Sequence, residues 1–309
     1  ASQLKRVLRK QTIRRGWRMR HFYVLLSTAI LLLILFKYRP MYGILIAFKE
    51  FRVGTGIWDS EWNNFLWFER IFSDHFFWRA LRNTIILSLL KLAVAFPAPI
   101  ILALLFNEVQ NLTYKRITQS VSYLPHFISW VILSGILREL LSISRGPVPF
   151  LMEQLGFEAI NFLTNKPTFR GLLVLTGIWQ GVGFGTIIYL AALSGIDPQL
   201  YESAAIDGTN RFQNVIHITI PSLIPVITIL LLLSIGNILE QGGDQILNLY
   251  NPVVYEVSDI LDTLVLRSGI QQAKYGYATA MQLFQNMVGM AILIVANTVI
   301  RRYNEYGIW

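Results

Sequence analysis

Six long apolar runs, each separated from the next by a charged, aromatic or glycine-broken segment, constrain this chain more than any other feature. They fall at roughly 20–37, 83–106, 121–140, 171–194, 222–240 and 279–300. A helix rises about 1.5 Å per residue, so about 20 apolar residues cross a hydrocarbon core roughly 30 Å thick. Backbone in lipid must satisfy its own hydrogen bonds, and runs of this length do so as helices. The expected fold class is therefore an all-α membrane protein with six transmembrane helices. Composition agrees: 15% of the 309 residues are charged, against about a quarter in soluble domains. Cysteine is absent, which excludes disulfides, thiolate metal sites and a cysteine nucleophile. His21, His75, His126 and His217 are scattered, and the runs are nearly bare of carboxylates. A membrane-embedded enzyme would need such groups clustered at catalytic spacing. No cofactor or metal is expected in this chain.

Residues 1–20 carry Lys5, Arg6, Arg9, Lys10, Arg14, Arg15, Arg18 and Arg20 and no acid. A basic run can bind nucleic acid or anionic lipid; beside a first apolar run it fixes the N-terminus in the cytoplasm. The expected organisation is a basic cytoplasmic segment at 1–20, a transmembrane domain at 21–302 and a cytoplasmic tail at 303–309. Phe22–Phe36 is not expected to be a signal peptide, because the basic region is long and no A-x-A site follows. Being short, this run should extend through Trp17, Met19 and Arg20 at one end. At the other it should continue through Met41–Phe48, as a kinked extension or a re-entrant piece. With the N-terminus inside, 107–120, 195–221 and the C-terminus are cytoplasmic, and 38–82, 141–170 and 241–278 are outside. Lys115, Arg116, Arg211, Arg301 and Arg302 then lie inside, but Lys49, Arg52, Arg70, Arg79, Arg82, Arg145 and Lys166 lie outside. The orientation thus rests on the N-terminal block and the C-terminal pair. Aromatic residues from Trp62 to Trp78 make 62–80 an expected helix on the outer membrane face, or a ledge for a partner.

Pro97, Pro99 and Pro125 should kink spans two and three. Gly177, Gly181 and Gly185 recur every fourth residue, on one face where another backbone could approach closely. Between spans four and five, Asp197 and Pro198 are a helix start: a carboxylate N-cap with proline in the first turn. Gly208 should end that helix with a positive φ. Thr209 should cap a second helix through Arg211–His217, and Pro221 should end it or open span five. The expected product is a helix–Gly–helix knob within 196–221, compact enough to transmit rigid-body motion.

Glu202-Ser203-Ala204-Ala205-Ile206-Asp207-Gly208, followed by Ile218-Thr219-Ile220-Pro221, resembles the "EAA loop" of ABC importer permeases. Further segments resemble permeases for complex sugars and polysaccharides: Lys37–Gly43 with Ile46–Lys49, Leu124-Pro125-His126-Phe127-Ile128-Ser129-Trp130, Asp244-Gln245 with Leu249–Pro252, and Tyr275–Ala280. Ser203 stands where that family usually has alanine, and Val215 where it usually has phenylalanine. The resemblance covers most of 20–302. It implies a type I ABC importer permease in the bacterial cytoplasmic (inner) membrane, both termini cytoplasmic. Its implied partners are two ATP-binding subunits that hold ATP and Mg, a second related permease, an extracytoplasmic sugar-binding protein and membrane lipid, with no nucleic acid. Coupling to the ATPase would fall to Glu202, Ser203, Ala204, Ala205, Asp207, Gly208, Arg211 and Pro221. The chain lacks G-x-x-x-x-G-K-[ST] and so is not the ATPase.

Sugars bind through aromatic faces and directed hydrogen bonds. Trp179, Gln180, Asn237, Glu240, Gln241, Gln282, Gln285 and Asn286 are therefore candidates for a substrate pathway. Each is alternatively a polar tie between helices. Lys91, a charge within span two, is expected to snorkel or to form an ion pair. The substrate class implied is oligosaccharide or polysaccharide, acidic uronate oligomers such as alginate included. The competing reading is a self-contained secondary transporter or channel. It predicts ionisable residues at the midplane or a repeated broken helix in each half, and neither is clear.

Overall fold

The computed structural model describes residues 19–240 and 242–303. Within them the regular structure is helical, with one isolated antiparallel bridge between Lys49 and Trp62. The long elements are α1 (Arg20–Phe48), α3 (His75–Glu108), α7 (Lys166–Leu193), α9 (Arg211–Gly236) and α12 (Tyr275–Tyr303). Between them lie α2 (Leu66–Ser73), α4 (Leu112–Phe127), α5 (Trp130–Leu140), α6 (Pro147–Gln154), α8 (Pro198–Ile206), α10 (Gly243–Leu249) and α11 (261–271). Among the described residues five helices are long and apolar enough to cross a membrane, and six if α4 and α5 form one span.

That pair corrects the expected third span. The chain at 121–140 is not one rod: α4 begins at Leu112, and α5 leaves it at 102°. Pro125 sits in a 3-10 turn closing α4, and Ile128 and Ser129 are extended. Residues 62–80 also differ from the single interfacial helix expected. The Asp74 carboxylate accepts the Phe76 N–H at 2.8 Å and starts α3 there, so α2 and α3 are separate.

The prolines act through the turn before them. Pro40, Pro97 and Pro221 each follow a π-turn, at Ile34–Tyr38, Lys91–Ala95 and Val215–Thr219. The last N–H before each proline reaches back five residues, from Arg39 to Ile34, Phe96 to Lys91 and Ile220 to Val215. Widening the turn relieves the clash between the proline ring and the carbonyl four residues earlier. Met41–Phe48 therefore continues α1 within one 29-residue helix and is not re-entrant. Of the two outcomes expected for Pro221, it opens span five, in the first α-helical turn after the π-turn of a continuous α9.

Three buried clusters hold the bundle. One joins the first half of α3 to α5, α7 and α10 through Leu87, Leu137, Leu173 and Ile246. A second, around Ala47, Ile71, Phe77, Leu261 and Met281, joins the end of α1 to α2, α11 and α12. The third, Ala103, Tyr189, Leu193 and Leu223, locks α3, α7 and α9 near the α7–α8 connection. The expected glycine stripe does not make the closest backbone approach. Gly183 does, where a Cβ would strike the Ser122 carbonyl of α4. Gly177 and Gly185 face Gln245 and Pro99, and nothing lies within 4 Å of a Cβ at Gly181. Along Arg20–Leu33 no residue is buried, as for a helix whose surroundings are apolar.

Candidate functional site

The knob forms from local chemistry. Asp197 Oδ1 accepts the Gln199 N–H at 3.0 Å, with Pro198 the first residue of α8. Gly208, at φ +78°, reverses the chain, and its N–H donates to Ala205 O at 3.1 Å. The second helix is capped by Asn210, not by Thr209. Asn210 Oδ1 accepts the Gln213 N–H at 2.9 Å, and Gln213 Oε1 accepts the Asn210 N–H at 2.8 Å. A type of residue that takes extended backbone one step later thus supplies the reciprocal box. Thr209 Oγ1 instead reaches Ala204 O at 2.8 Å and Asn214 Oδ1 at 2.7 Å. The hydroxyls of Tyr201 and Thr219, 2.9 Å apart, tie the two arms together.

Glu202, Ser203, Ala205, Asp207, Gly208, Arg211 and Pro221 are exposed, and Ala204 is half-buried. Arg211 Nη1 lies 3.7 Å from Glu108 Oε2, an exposed ion pair between the knob and the last turn of α3. Two apolar side chains stand out from the knob: Ile206 is 87% exposed and Phe212 73%. Phe212 was not singled out from sequence; its signal was an aromatic on a short, capped polar helix. Val215, where the resemblance expects phenylalanine, is half-buried.

The second feature is a cavity of about 590 Å³ among α3, α7, α9 and α10. Lys91, Trp130, Gln180, Tyr189, Asn237 and Gln245 supply its polar and aromatic groups. Among the described residues Lys91 has no carboxylate within ion-pair distance. Its Nζ donates to Gln245 Oε1 at 2.9 Å, and Gln245 Nε2 donates to Leu173 O at 2.6 Å and Thr176 Oγ1 at 2.9 Å. Gly242, at φ +92°, lets Lys91 pass: a Cβ there would strike the amine. A neighbouring space of about 450 Å³ shares Trp130, Gly242 and Gln245 with the cavity and is walled by Glu240, Asp244 and Asp262. Burial raises the Asp262 pKa from its ordinary value; the Glu240 and Asp244 charges push the same way, and a hydrogen bond from Gln285 opposes them.

The candidates for a substrate pathway divide. Gln180 and Asn237 line the cavity and Glu240 the adjoining space. Trp179 is off the cavity lining and half-exposed. Gln285 is fully buried and donates to Leu239 O and Asp262 Oδ1, both at 2.7 Å, so it ties helices together. Gln282 and Asn286 meet at 2.9 Å, and Asn286, with its amide turned, reaches Glu240 Oε1 at 3.0 Å. Gln241 lies outside the described residues. Trp130, Tyr189 and Gln245 are the lining residues that sequence reasoning did not pick for this role. Trp130 and Gln245 reach the cavity because α5 and α10 fold back, and Tyr189 because α7 packs against α3 and α9; no local pattern specifies either. Indole, phenol, amide and ammonium groups around one space can stack on and hydrogen-bond a polyhydroxylated guest. Among the described residues no group of three or more His, Asp or Glu could hold a metal ion.

Residues 95–249, from the π-turn of α3 through the knob to α10, match the family model described as binding-protein-dependent transport system inner membrane component. The polygalacturonan/rhamnogalacturonan transport system permease protein YteP of Bacillus subtilis (strain 168) is 40% identical over 305 residues, 99% of this chain and 95% of the relative. Protein LplB of the same organism is 42% identical over 287 residues, 93% and 90% of the two chains. A chain in the crystal structure of a bacterial ABC transporter that imports the acidic polysaccharide alginate superposes with a TM-score of 0.87 at 39% identity, covering 94% of this chain and 99% of that one. This chain belongs to the binding-protein-dependent transport system inner membrane component family, as a membrane-spanning permease and not an enzyme.

Proposed function

We propose that this chain is the permease subunit of an ATP-driven importer of oligosaccharides or polysaccharide, with acidic uronate oligomers as the substrate class. The observation that carries the reading is mechanical. Helix α9 runs unbroken for 26 residues from Arg211 in the knob to Gly236, and Leu230, Leu233 and Ser234 on it line the cavity. Leu223 of α9 packs in one buried cluster with Ala103 of α3, whose Lys91, Phe96 and Pro99 form the facing wall. A displacement of the knob therefore moves two walls of the cavity at once. Ile206 and Phe212 are the apolar contacts offered to an ATP-binding subunit, with Glu202 and Asp207 beside them to meet its cations.

Two ATP-binding subunits would sit under the knobs of this chain and of a second, related permease. A sugar-loaded binding protein would dock at the opposite end. This places the knob, 1–20 and 303–309 in the cytoplasm of a cell with this chain in its inner membrane. A solved relative contains an alginate ABC transporter together with its alginate pentasaccharide-bound periplasmic protein, which supports both the delivery step and the acidic substrate.

The test is ATP hydrolysis by the complex purified through this chain and reconstituted with its binding protein. Uronate oligomers should stimulate hydrolysis, and neutral oligosaccharides of equal length should not. Uptake driven by an ion gradient without ATP would instead support a secondary transporter.

A further inference from the structure

A third pocket, of about 500 Å³, lies at the end of the bundle opposite the knob, between α2, the start of α3, α11 and the start of α12. Four cations line it, Arg70, Arg79, Arg267 and Lys274, against one lining carboxylate, Asp74. Asp74 is already engaged, accepting the Phe76 N–H at 2.8 Å and the Tyr277 hydroxyl at 2.6 Å. Beneath the pocket the buried Asp259 takes Arg267 through bonds of 3.0 and 2.6 Å and Arg79 at 3.4 Å. Two acids thus face four cations. Among the described residues neither Arg70 nor Lys274 has a carboxylate within ion-pair distance. Aromatic rings hold the guanidinium groups in place: Arg70 lies 4.9 Å over Trp67, Arg79 5.0 Å over Phe76 and Arg267 5.0 Å over Tyr255.

The pocket does not belong to the central cavity. Helix α11 is the wall between them. Its Asp262, Thr263 and Leu266 face the acidic space beside the cavity, and its Leu264, Arg267 and Ser268 face the basic pocket. A sugar chain in the central space would be screened from these cations by that helix. On the surface beside it, Phe72, Phe76 and Trp78 are exposed by 45%, 52% and 51%, and the Trp78 indole N–H donates to Phe72 O at 2.9 Å. An amphipathic ring such as that of Trp78 is enriched at the headgroup level of a bilayer. A net-positive pocket at that level, at the ends of two spanning helices, has the chemistry to take a lipid phosphate.

We propose that this pocket binds the phosphate of an anionic phospholipid in the leaflet opposite the knob. The leaflet's identity as the outer one rests on the orientation proposed above; the binding itself does not.

The test is native mass spectrometry of the full-length chain in mild detergent. It is titrated separately with phosphatidylglycerol, phosphatidylethanolamine, soluble glycerol phosphate and an oligouronate. Phosphatidylglycerol should be retained over phosphatidylethanolamine. Arg70→Gln with Lys274→Gln should weaken its retention roughly 30-fold, about fivefold per cation removed. Arg145→Gln, an exposed cation elsewhere, should leave it unchanged. Should the double variant not purify as a single species, Lys274→Gln alone carries the test, with a loss of about fivefold. Equal retention of the two lipids, or a preference that survives in the variants, overturns the proposal. Retention of glycerol phosphate or oligouronate as strong as that of the lipid overturns it too, by assigning the pocket to a soluble anion. None of these readouts depends on transport, so failure here leaves the importer reading untouched.

Discussion

Gln245 shows how much one side chain can carry. It is 2% exposed, and its amide joins α10 to α7 while holding Lys91 within the cavity. Gln245→Leu keeps the volume but strands the Lys91 amine, at a cost of about 1–3 kcal/mol. The variant should melt several degrees lower in detergent and lose sugar-stimulated ATP hydrolysis; unchanged melting would refute this account of the residue. Gly208 is needed for its backbone alone, since a Cβ there meets nothing within 4 Å but φ is +78°. Gly208→Val should strain the knob by about 1–2 kcal/mol. Yield in the membrane should hold while stimulated hydrolysis falls, as measured on the reconstituted complex. Asp262 yields a pH signature. Its folded pKa is raised, so the folded state holds the proton more tightly and wild-type stability falls as pH climbs from the ordinary aspartate value through the raised one. Asp262→Asn should therefore match wild type below about pH 4 and gain on it progressively above that, in melts run across pH. A constant difference at every pH would contradict the assignment.

Among the elements, the knob was the most legible in sequence because its signals are local: Asp197 before Pro198, and a glycine where the chain reverses. Only its second cap moved, from Thr209 to Asn210, since both residue types cap well and tertiary bonds to Ala204 and Asn214 claim the threonine. The third span was not legible. Hydropathy averages over a 102° break, and Pro125 signals a disturbance without its angle. The pathway candidates were only partly legible, because Gln180 and Gln285 read alike in sequence and differ in what packs around them. The segment 252–271 was invisible as a structural unit, although it binds α3 and α7. Arg79, Arg267 and Thr263 converge on Asp259, while Asn83 holds the Asp259 and Glu256 carbonyls at 3.0 and 3.1 Å. Asp259→Ala would leave two arginines facing a gap and should cost about 3 kcal/mol. Thermal unfolding in detergent checks this, and a loss below about 1 kcal/mol would mean the arginines find other partners.

In the molecule as a whole, long helices join two ends. The knob continues into α9, α9 packs on α3 through Leu223 and Ala103, and the same two helices wall the cavity. The absence of cysteine makes this directly testable, since Ile206→Cys would be the only thiol in the chain. In the assembled transporter, that thiol should crosslink to an ATP-binding subunit and stay shielded from an impermeant maleimide applied to intact cells. Arg145→Cys, at the other end, should be labelled from outside and form no such crosslink. Labelling of Ile206→Cys from outside, or its failure to crosslink to any ATP-binding subunit, would contradict the claim that this knob couples ATP hydrolysis to the cavity.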